Sequence, residues 1–283
     1  MKILSIFFLF VSVFFFSQSQ RFMYEYSYRL DSLHKDKVEK EIMNLDITKS
    51  GSNFYSALLV SRDSLLHAQI ERGRASKSIV LDATSLRRSK ANFRISKMYP
   101  SFETFYHTSI NADNFSIKEL NKISWKILPD TMSIEGFKSQ KATTEFGGRK
   151  WTAWFTSVIP IQDGPYKFAN LPGLILNVAD DKGDHNFKFV GSQKISEEPA
   201  IMELKRQEIS ISKEKFNQYW NEYKKDPAKV IKLLHGNSEM SETIFMGPNG
   251  SPLTKQDLIK RKEEGAKAYF KNYNNFIELD YYK

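Results

Sequence analysis

Apolar and polar residues alternate along much of the chain before residue 210. In residues 22–30, FMYEYSYRL, every second position is aromatic or aliphatic and most positions between are polar. A period of two residues is typical of a strand with one buried face. The same criterion predicts further strands over residues 43–47, 54–60, 79–81, 93–98, 102–108 and 125–128.

Two hairpins are predicted further along the chain. Residues 138–146 and 150–159 flank a Gly-Gly turn, and residues 174–179 and 187–190 flank a turn rich in aspartate. Successive strands joined by tight turns favour an antiparallel sheet over a series of βαβ units.

The spacing of apolar residues becomes helical after residue 210. Phe216, Tyr219, Trp220 and Tyr223 follow the i, i+3, i+4, i+7 pattern of one helix face, and Ser212 precedes them as a capping residue. These positions predict an amphipathic helix that packs its aromatic side on the sheet.

Two more helices are predicted towards the C-terminus, followed by the strand-like sequence FIELDYY. Asp226-Pro227 is an N-cap and N1 pair for a short helix that stops at Gly236, and Thr254 opens a sequence that resembles a capping box. We therefore predict an α+β fold, mainly antiparallel β, with helices late in the chain. A single domain over residues 20–283 is expected, although the length alone also permits two domains.

Residues 1–19 have the pattern of a signal peptide. Lys2 supplies the positive charge, residues 3–16 are an apolar run interrupted only by two serines, and Ser17 and Ser19 occupy the −3 and −1 positions of a cleavage site. The run is shorter than the ~20 residues that a helix needs to span a bilayer. An uncleaved N-terminal anchor is the alternative.

The predicted leader gives an expected location in the periplasm or outside the cell. No second apolar run approaches spanning length, so no transmembrane segment is expected in the mature chain. The chain has no cysteine, which excludes disulfides, a lipid-modified N-terminal cysteine and cysteine-ligated metals. Aromatic residues make up 14% of the chain, too many for a disordered protein.

The net charge of +9 includes a basic stretch in the early middle of the chain. Its cations are Arg62, Arg72, Arg74, Lys77, Arg87, Arg88, Lys90 and Arg94. Nucleic acid is not an expected partner, because the protein carries an export signal and no recognition motif. Anionic glycans or lipopolysaccharide suit such a stretch, and a solvated sheet edge is the alternative.

No sequence motif for a cofactor, a metal or a catalytic centre is present. The histidines His34, His67, His107, His185 and His235 are scattered without metal-ligand spacing. Phosphate-binding glycine loops and a Gly-x-Ser-x-Gly nucleophile elbow are absent from the sequence. Asp180, Asp181 and Asp184 lack the pattern of a calcium loop and are interpreted as a hairpin turn.

Residues 164–175, GPYKFANLPGLI, follow a Gly-Arg pair and the segment TAWFTSVIPI. This order of residues resembles the GLPGLI family of exported Bacteroidetes proteins, with Asn170 where the family name has its first glycine. The resemblance implies an exported GLPGLI-type domain with no established catalytic residues. The chain is also similar to the bowl-shaped N-terminal module of some secreted flavobacterial glycan-removing enzymes, which implies a curved, bowl-like or half-barrel sheet.

The central motif is interpreted as a structural element. A Pro-Gly pair forms a tight turn, and the leucines around it are expected to be buried. The residues assigned to this structural motif are Gly164, Pro165, Leu171, Pro172, Gly173 and Leu174.

The hairpin before the motif supplies the candidate binding residues. Trp151 and Trp154 are three positions apart, so a regular strand directs them to opposite faces. Trp154 is predicted to face outward with Lys150, and Arg149 and Tyr166 complete the candidate set. An aromatic ring beside a cation suits sugars, peptides or acidic ligands. Packing of both tryptophans in the core is the alternative.

Three functions are compatible with these features. The first is a non-catalytic envelope protein that binds an apolar ligand such as a lipid, a peptide or a glycan in a concave sheet. The second is a hydrolase that uses the scattered carboxylates Glu145, Asp163 and Asp184. The third is an assembly partner of an outer-membrane complex, which predicts a large exposed apolar patch. Ser32, Ser64 and Thr131 also match a short Bacteroidetes O-glycosylation pattern.

Overall fold

The computed structural model describes residues 19–76, 89–195, 207–233 and 253–282. Most of the predicted signal peptide, the predicted strand 79–81 and the predicted helix end at Gly236 lie outside these ranges.

The described residues form one sheet of twelve strands and four helices. The strands are β1 Ser19–Tyr28, β2 Glu39–Ile47, β3 Gly51–Ser56, β4 Arg94–Met98, β5 Glu103–Ile110, β6 Asp113–Lys118, β7 Lys126–Ile134, β8 Phe137–Phe146, β9 Arg149–Thr156, β10 Leu174–Asp180, β11 His185–Ile195 and β12 Ile209–Ile211. The helices are α1 Ala57–Ser76, α2 Lys213–Lys225, α3 Lys229–Leu233 and α4 Lys255–Asn272.

The sheet has the strand order β12-β6-β5-β4-β3-β2-β1-β11-β10-β9-β8-β7 and is not closed into a barrel. All neighbouring strands pair antiparallel except β12 and β6, which are parallel. The predicted mostly antiparallel sheet is therefore confirmed. Pro129 lies in the edge strand β7 at an irregularity in register, where a missing backbone donor is tolerated.

The alternation in β1 places four aromatic rings on one face of the sheet. Phe22, Tyr24, Tyr26 and Tyr28 are all buried, whereas the intervening residues are partly exposed. We call the face that carries these rings the inner face and the opposite one the outer face. Burial of each large side chain stabilises the fold by about 1.5–3 kcal/mol, so this face anchors the core.

Helix α1 corrects the prediction of a strand over residues 54–60. The strand ends at Ser56, and residues 57–76 form a helix. A short apolar run does not distinguish a strand from a helix, and the leucine-, alanine- and arginine-containing sequence that follows consists largely of good helix formers. Because α1 lies early, helices are not restricted to the late part of the chain.

The two predicted helix starts at Ser212 and Thr254 are confirmed. Ser212 accepts a hydrogen bond from the backbone nitrogen of Lys215 at 3.2 Å. Thr254 and Asp257 form a reciprocal capping box. Each such cap stabilises a helix by roughly 1 kcal/mol.

The predicted C-terminal strand is wrong, because residues 273–282 form turns and irregular structure. This tail is held by separate contacts instead of a ladder: Asn274 and Asn275 donate backbone hydrogen bonds to Leu30, and Leu279 donates one to Gly147. Ile277 and Tyr281 are buried in the core. The apolar residues of FIELDYY therefore anchor the tail on the other elements without adding a strand.

Among the described helices, none is both long enough and apolar enough to span a membrane.

Candidate functional site

The segment between β9 and β10, residues 157–173, covers part of the inner face, and we call it the motif loop. Phe168 packs on Trp151 with ring centroids 4.7 Å apart, and Tyr166 stacks parallel to Phe187 at 6.4 Å. Leu171 is also buried. The central motif therefore forms part of the core.

Backbone geometry explains the small residues of the motif. Gly173 has φ +149°, and a Cβ at this position would lie 2.0 Å from the carbonyl oxygen of Thr156. At Gly164, a Cβ would lie 2.7 Å from the side chain of Ile175. Asn170 has φ +69°, a left-handed conformation that asparagine tolerates better than most residues. The motif thus follows a path that larger side chains block.

The first of three buried charge clusters fixes the start of the motif loop. Asp163 is fully buried and accepts hydrogen bonds from Lys97 Nζ at 2.5 Å, Ser52 Oγ at 2.6 Å and the Gly164 backbone nitrogen at 2.6 Å. Tyr99 donates to the same carboxylate. Several donors around one buried carboxylate are what keeps such a charge in a core, so Asp163 is anchored as a structural group.

The second cluster joins the motif loop to the C-terminal tail. Lys167 is buried and forms ion pairs with Glu278 and, at 2.6 Å, with Glu119. Tyr166 donates its hydroxyl hydrogen bond to Glu278 at 2.5 Å, and burial raises the pKa of Tyr166 well above its usual value. The Lys167 ammonium also lies 4.4 Å from the centre of the Tyr281 ring.

The third cluster centres on Arg149, the first residue of β9, which is buried against the C-terminal tail. Its guanidinium pairs with Asp180 at 2.8 Å and with Asp184 at 3.4 Å, and donates to Asn275 Oδ1 at 2.6 Å. It also donates to the backbone carbonyl of Phe276 at 2.7 Å. All these contacts satisfy the arginine within the fold.

The four candidate binding residues are not brought together by the structure. Arg149 and Tyr166 are buried inside, each bonded to the tail. Lys150 is exposed near Glu145, with 4.0 Å between the charged atoms. Trp154 is half-buried on the outer face, with Lys141 Nζ 6.0 Å from its ring. A binding role for this set stays a prediction.

Trp151 and Trp154 differ in burial as the strand alternation predicts. Trp151 is 1% exposed, and its Nε1 donates to the Phe146 carbonyl at 3.0 Å. We expect Trp151→Ala to lower the free energy of unfolding by ~3–5 kcal/mol through lost packing. For Trp154→Ala we expect about 1 kcal/mol or less. Urea unfolding of the two variants measures the difference, and equal losses would contradict it.

The three carboxylates of the hydrolase hypothesis lie in separate surroundings. Glu145 is exposed at the β8–β9 hairpin, Asp163 is paired with Lys97, and Asp184 is paired with Arg149. The proposed glycosylation sites Ser32, Ser64 and Thr131 are exposed.

An aromatic cleft opens between the inner face, α2, α4 and the C-terminal tail. Its volume is about 90 Å³. The sheet and motif loop contribute Tyr26, Tyr28, Phe93, Tyr106, Tyr166 and His185, and the helices and tail contribute Phe216, Trp220, Tyr269, Tyr273, Phe276 and Tyr282. Lys90 and Asn92 are exposed residues at its boundary.

Two buried ring nitrogens of the aromatic cleft make no hydrogen bond of normal geometry with any part of the chain that is described: Nε1 of Trp220 and Nε2 of His185. Burial and the nearby Arg149 lower the pKa of His185 to about 3, against a smaller opposing influence of the Asn275 and Phe276 carbonyls. His185 is therefore neutral, and its Nδ1 shares a 2.8 Å hydrogen bond with the Tyr26 hydroxyl. A buried donor without an acceptor costs about 1–3 kcal/mol, so Trp220 is the clearer point for ligand contact.

The sequence predicts that several residues of the aromatic cleft are buried, but it does not predict that they meet in one cleft. The alternation in β1 predicts buried tyrosines, and the helix pattern predicts an inward Trp220. Nothing in either pattern indicates that the two meet, because they are far apart along the chain and the tail closes the space between them.

The fold and the aromatic cleft define an open, mostly antiparallel β-sheet protein with a narrow space beneath its helices. A family model described as "Protein of unknown function (Porph_ging)" matches residues 113–177, from β6 into β10 and including the motif loop. The match is to a family of unknown function and does not confirm the name GLPGLI.

The chain is similar in fold to solved structures of another protein. No curated protein matches the chain. Two structures of PNGF-II, in space groups P21 and C2, are similar with TM-scores of 0.48 and 0.47 and sequence identities of 13% and 14%. Each match covers 69% of this chain, which spans only 32% and 31% of the length of those chains.

Proposed function

We propose that the protein is exported and binds a slim, mostly apolar ligand in the aromatic cleft. Export is supported by the leader pattern of residues 1–19. The observation that carries the binding proposal is the buried Trp220 Nε1, which has no acceptor among the described residues and belongs to a cleft lined by aromatic rings. Pockets with apolar walls and a few polar groups are typical ligand sites.

The size of the aromatic cleft favours one ligand class over the others. A cavity of about 150 Å³ accommodates benzene, whereas this cleft measures about 90 Å³. A short acyl group or a slender peptide side chain suits that space better than a sugar ring. An acyl carbonyl or carboxylate would also supply the acceptor that the indole nitrogen of Trp220 requires.

The assembly hypothesis predicts one large apolar patch. In the described part of the chain, exposed apolar residues are instead contributed by many separate elements, for example Leu33, Met98, Val158 and Val230. These positions do not by themselves define one patch, whereas the aromatic cleft contains the unsatisfied Trp220 donor, so the binding proposal is preferred.

Titration with butanoate, a short acyl chain whose carboxylate can accept from Trp220, followed by calorimetry, tests the proposal. We expect binding to the wild-type protein, and a dissociation constant about tenfold higher for Trp220→Phe, which removes the Nε1–H donor but keeps an aromatic ring. Trp154→Phe is the matched control on the outer face and should bind like the wild type. Absence of binding, or equal affinities of all three proteins, would contradict the proposal. Melting curves recorded first establish that the variants are folded.

A further inference from the structure

Three polar side chains on the outer face form a continuous hydrogen-bonded chain. The hydroxyl of Ser96 lies 2.8 Å from Nε2 of His107. Nδ1 of the same imidazole lies 2.8 Å from Oε2 of Glu208. A hydroxyl, an imidazole and a carboxylate in this order are the parts of a nucleophile, its base and the group that orients the base.

The sheet register explains how these residues meet. Arg94 of β4 lies opposite His107 of β5, and Ser96 lies opposite Phe105, so Ser96 and His107 are diagonal neighbours on one face. Glu208 directly precedes β12, which pairs with β6 beside β5. Ser96 and His107 come from consecutive strands, 11 residues apart, whereas Glu208 lies 101 residues after His107, so the three residues form no sequence motif.

The protonation states of His107 and Glu208 follow from the groups around them. Burial lowers the pKa of His107 below its usual value; the hydrogen bond to Glu208 opposes this and the neighbouring Arg94 adds to it, and the net direction is downward. Burial opposes ionisation of Glu208, but the hydrogen bond from His107 and the hydrogen bond and charge of Arg94 outweigh this and lower its pKa. Near neutral pH the imidazole is therefore uncharged and the carboxylate is ionised.

These charge states fix the direction of both hydrogen bonds. An ionised carboxylate only accepts, so Nδ1 of His107 must carry the proton that it donates to Glu208. Nε2 then has a lone pair and accepts the hydrogen bond from Ser96. This is the tautomer that a general base needs in order to take a proton from serine.

A polar pocket of about 300 Å³ adjoins His107 and Glu208. Arg62, Arg94 and Asn114 also line it. Ser96 does not line the pocket but is partly exposed beside it on the same face. Arg94 lies on the same strand face two residues from Ser96 and donates to Glu208 Oε1 at 3.0 Å and to Asn53 Oδ1 at 3.2 Å, so it supplies positive charge beside the hydrogen-bonded chain.

We propose that Ser96, His107 and Glu208 form a catalytic site that hydrolyses small carboxylic esters of polar alcohols, such as acetyl esters. This activity goes beyond binding in the aromatic cleft and departs from the expectation of a non-catalytic protein. The two sites are on opposite faces of the sheet, since Tyr106 points to the inner face and His107 to the outer one.

The reaction uses only the ester and water. Oγ of Ser96 attacks the carbonyl carbon while its proton passes to Nε2 of His107, and the oxyanion is stabilised by Arg94. The bond from carbon to the alcohol oxygen then breaks, and His107 returns the proton to the departing alcohol. Water then attacks the acyl-serine while His107 takes its proton. His107 passes that proton to the departing Oγ of Ser96, which releases the carboxylic acid and restores both residues.

Labelling with a fluorophosphonate and hydrolysis of p-nitrophenyl acetate test this site on the full-length protein. We expect one covalent adduct, located on Ser96 by peptide mass spectrometry. Ser96→Ala should abolish labelling, and both Ser96→Ala and His107→Gln should lower kcat/KM by about a hundredfold or more. Ser116→Ala is the matched control, because Ser116 lies opposite His107 in β6 with similar partial exposure.

Glu208→Gln tests whether Glu208 orients His107 for catalysis or only stabilises the fold. We expect it to lower kcat by about tenfold or more with little change in KM, and Glu208→Asp to restore part of the rate. An adduct on another serine, no adduct, or equal hydrolysis by wild type and Ser96→Ala would overturn the proposal. Because the adduct is located on the unmodified wild-type sequence, a variant that fails to fold does not affect that result.

Discussion

Gly173→Val is expected to lower the free energy of unfolding by ~2–6 kcal/mol, the combined scale of backbone strain and overpacking. Any Cβ at this position would lie 2.0 Å from the carbonyl oxygen and 2.6 Å from the carbonyl carbon of Thr156. Both atoms belong to the backbone, so no side-chain rotation relieves the contact. The φ of +149° adds strain for a β-branched residue. Urea denaturation, or loss of folded protein on expression, measures the effect.

Gly265→Ala is the control for a glycine that has space around it. Gly265 lies in α4, and an added Cβ would meet no described atom within 4 Å. Alanine in a helix interior is more stable than glycine by roughly 0.5–1 kcal/mol, so a small gain is expected. If Gly173→Val unfolds at the same urea concentration as the wild type, the path assigned to the motif loop is wrong.

Asp163→Ala is expected to lower the free energy of unfolding by ~3–5 kcal/mol, because it leaves the buried Lys97 ammonium without its counter-charge. Lys97 is 2% exposed and lies 2.5 Å from Asp163. The remaining contacts of its Nζ are the carbonyls of Gly164, at 2.8 Å, and Phe168, at 3.4 Å, which carry no net charge. Chemical denaturation monitored by tryptophan fluorescence gives the value.

Two further variants establish that the cause is the unpaired charge. Glu145→Ala removes a carboxylate from an exposed pair with Lys150 and should change stability by no more than about 1 kcal/mol. The double variant Lys97→Met/Asp163→Leu replaces the buried pair by apolar groups and should be more stable than Asp163→Ala. Equal effects of Asp163→Ala and Glu145→Ala would show that Asp163 does not hold the motif loop.

The sequence predicted those parts of the fold that depend on local pattern. The alternation of residues 22–28 predicts β1 and its buried rings, and the Gly-Gly turn predicts the hairpin of β8 and β9. Helix α1 was missed because its first residues continue the apolar run of β3. The tail was taken for a strand because FIELDYY has strand-forming residues, whereas its backbone bonds are made one at a time to Leu30 and Gly147.

The candidate site was harder to predict because its partners are distant in sequence. Arg149 and Tyr166 have side chains that suit ligand binding, but Asp180, Asn275 and Glu278 hold them inside the protein. Charge patterns along a sequence do not reveal such pairings, since burial of a charged group depends on partners from other elements. In the hydrogen-bonded chain of Ser96, His107 and Glu208, it is Glu208 that is distant in sequence, 101 residues from His107.

Native mass spectrometry of the protein purified from the cells that produce it is the most direct test of ligand binding in the aromatic cleft. The account predicts an added mass of one small ligand that is released on denaturation. The same ligand should be reduced in Trp220→Phe and retained in Trp154→Phe. A native mass equal to that of the bare chain, or a ligand retained equally by both variants, would contradict the account.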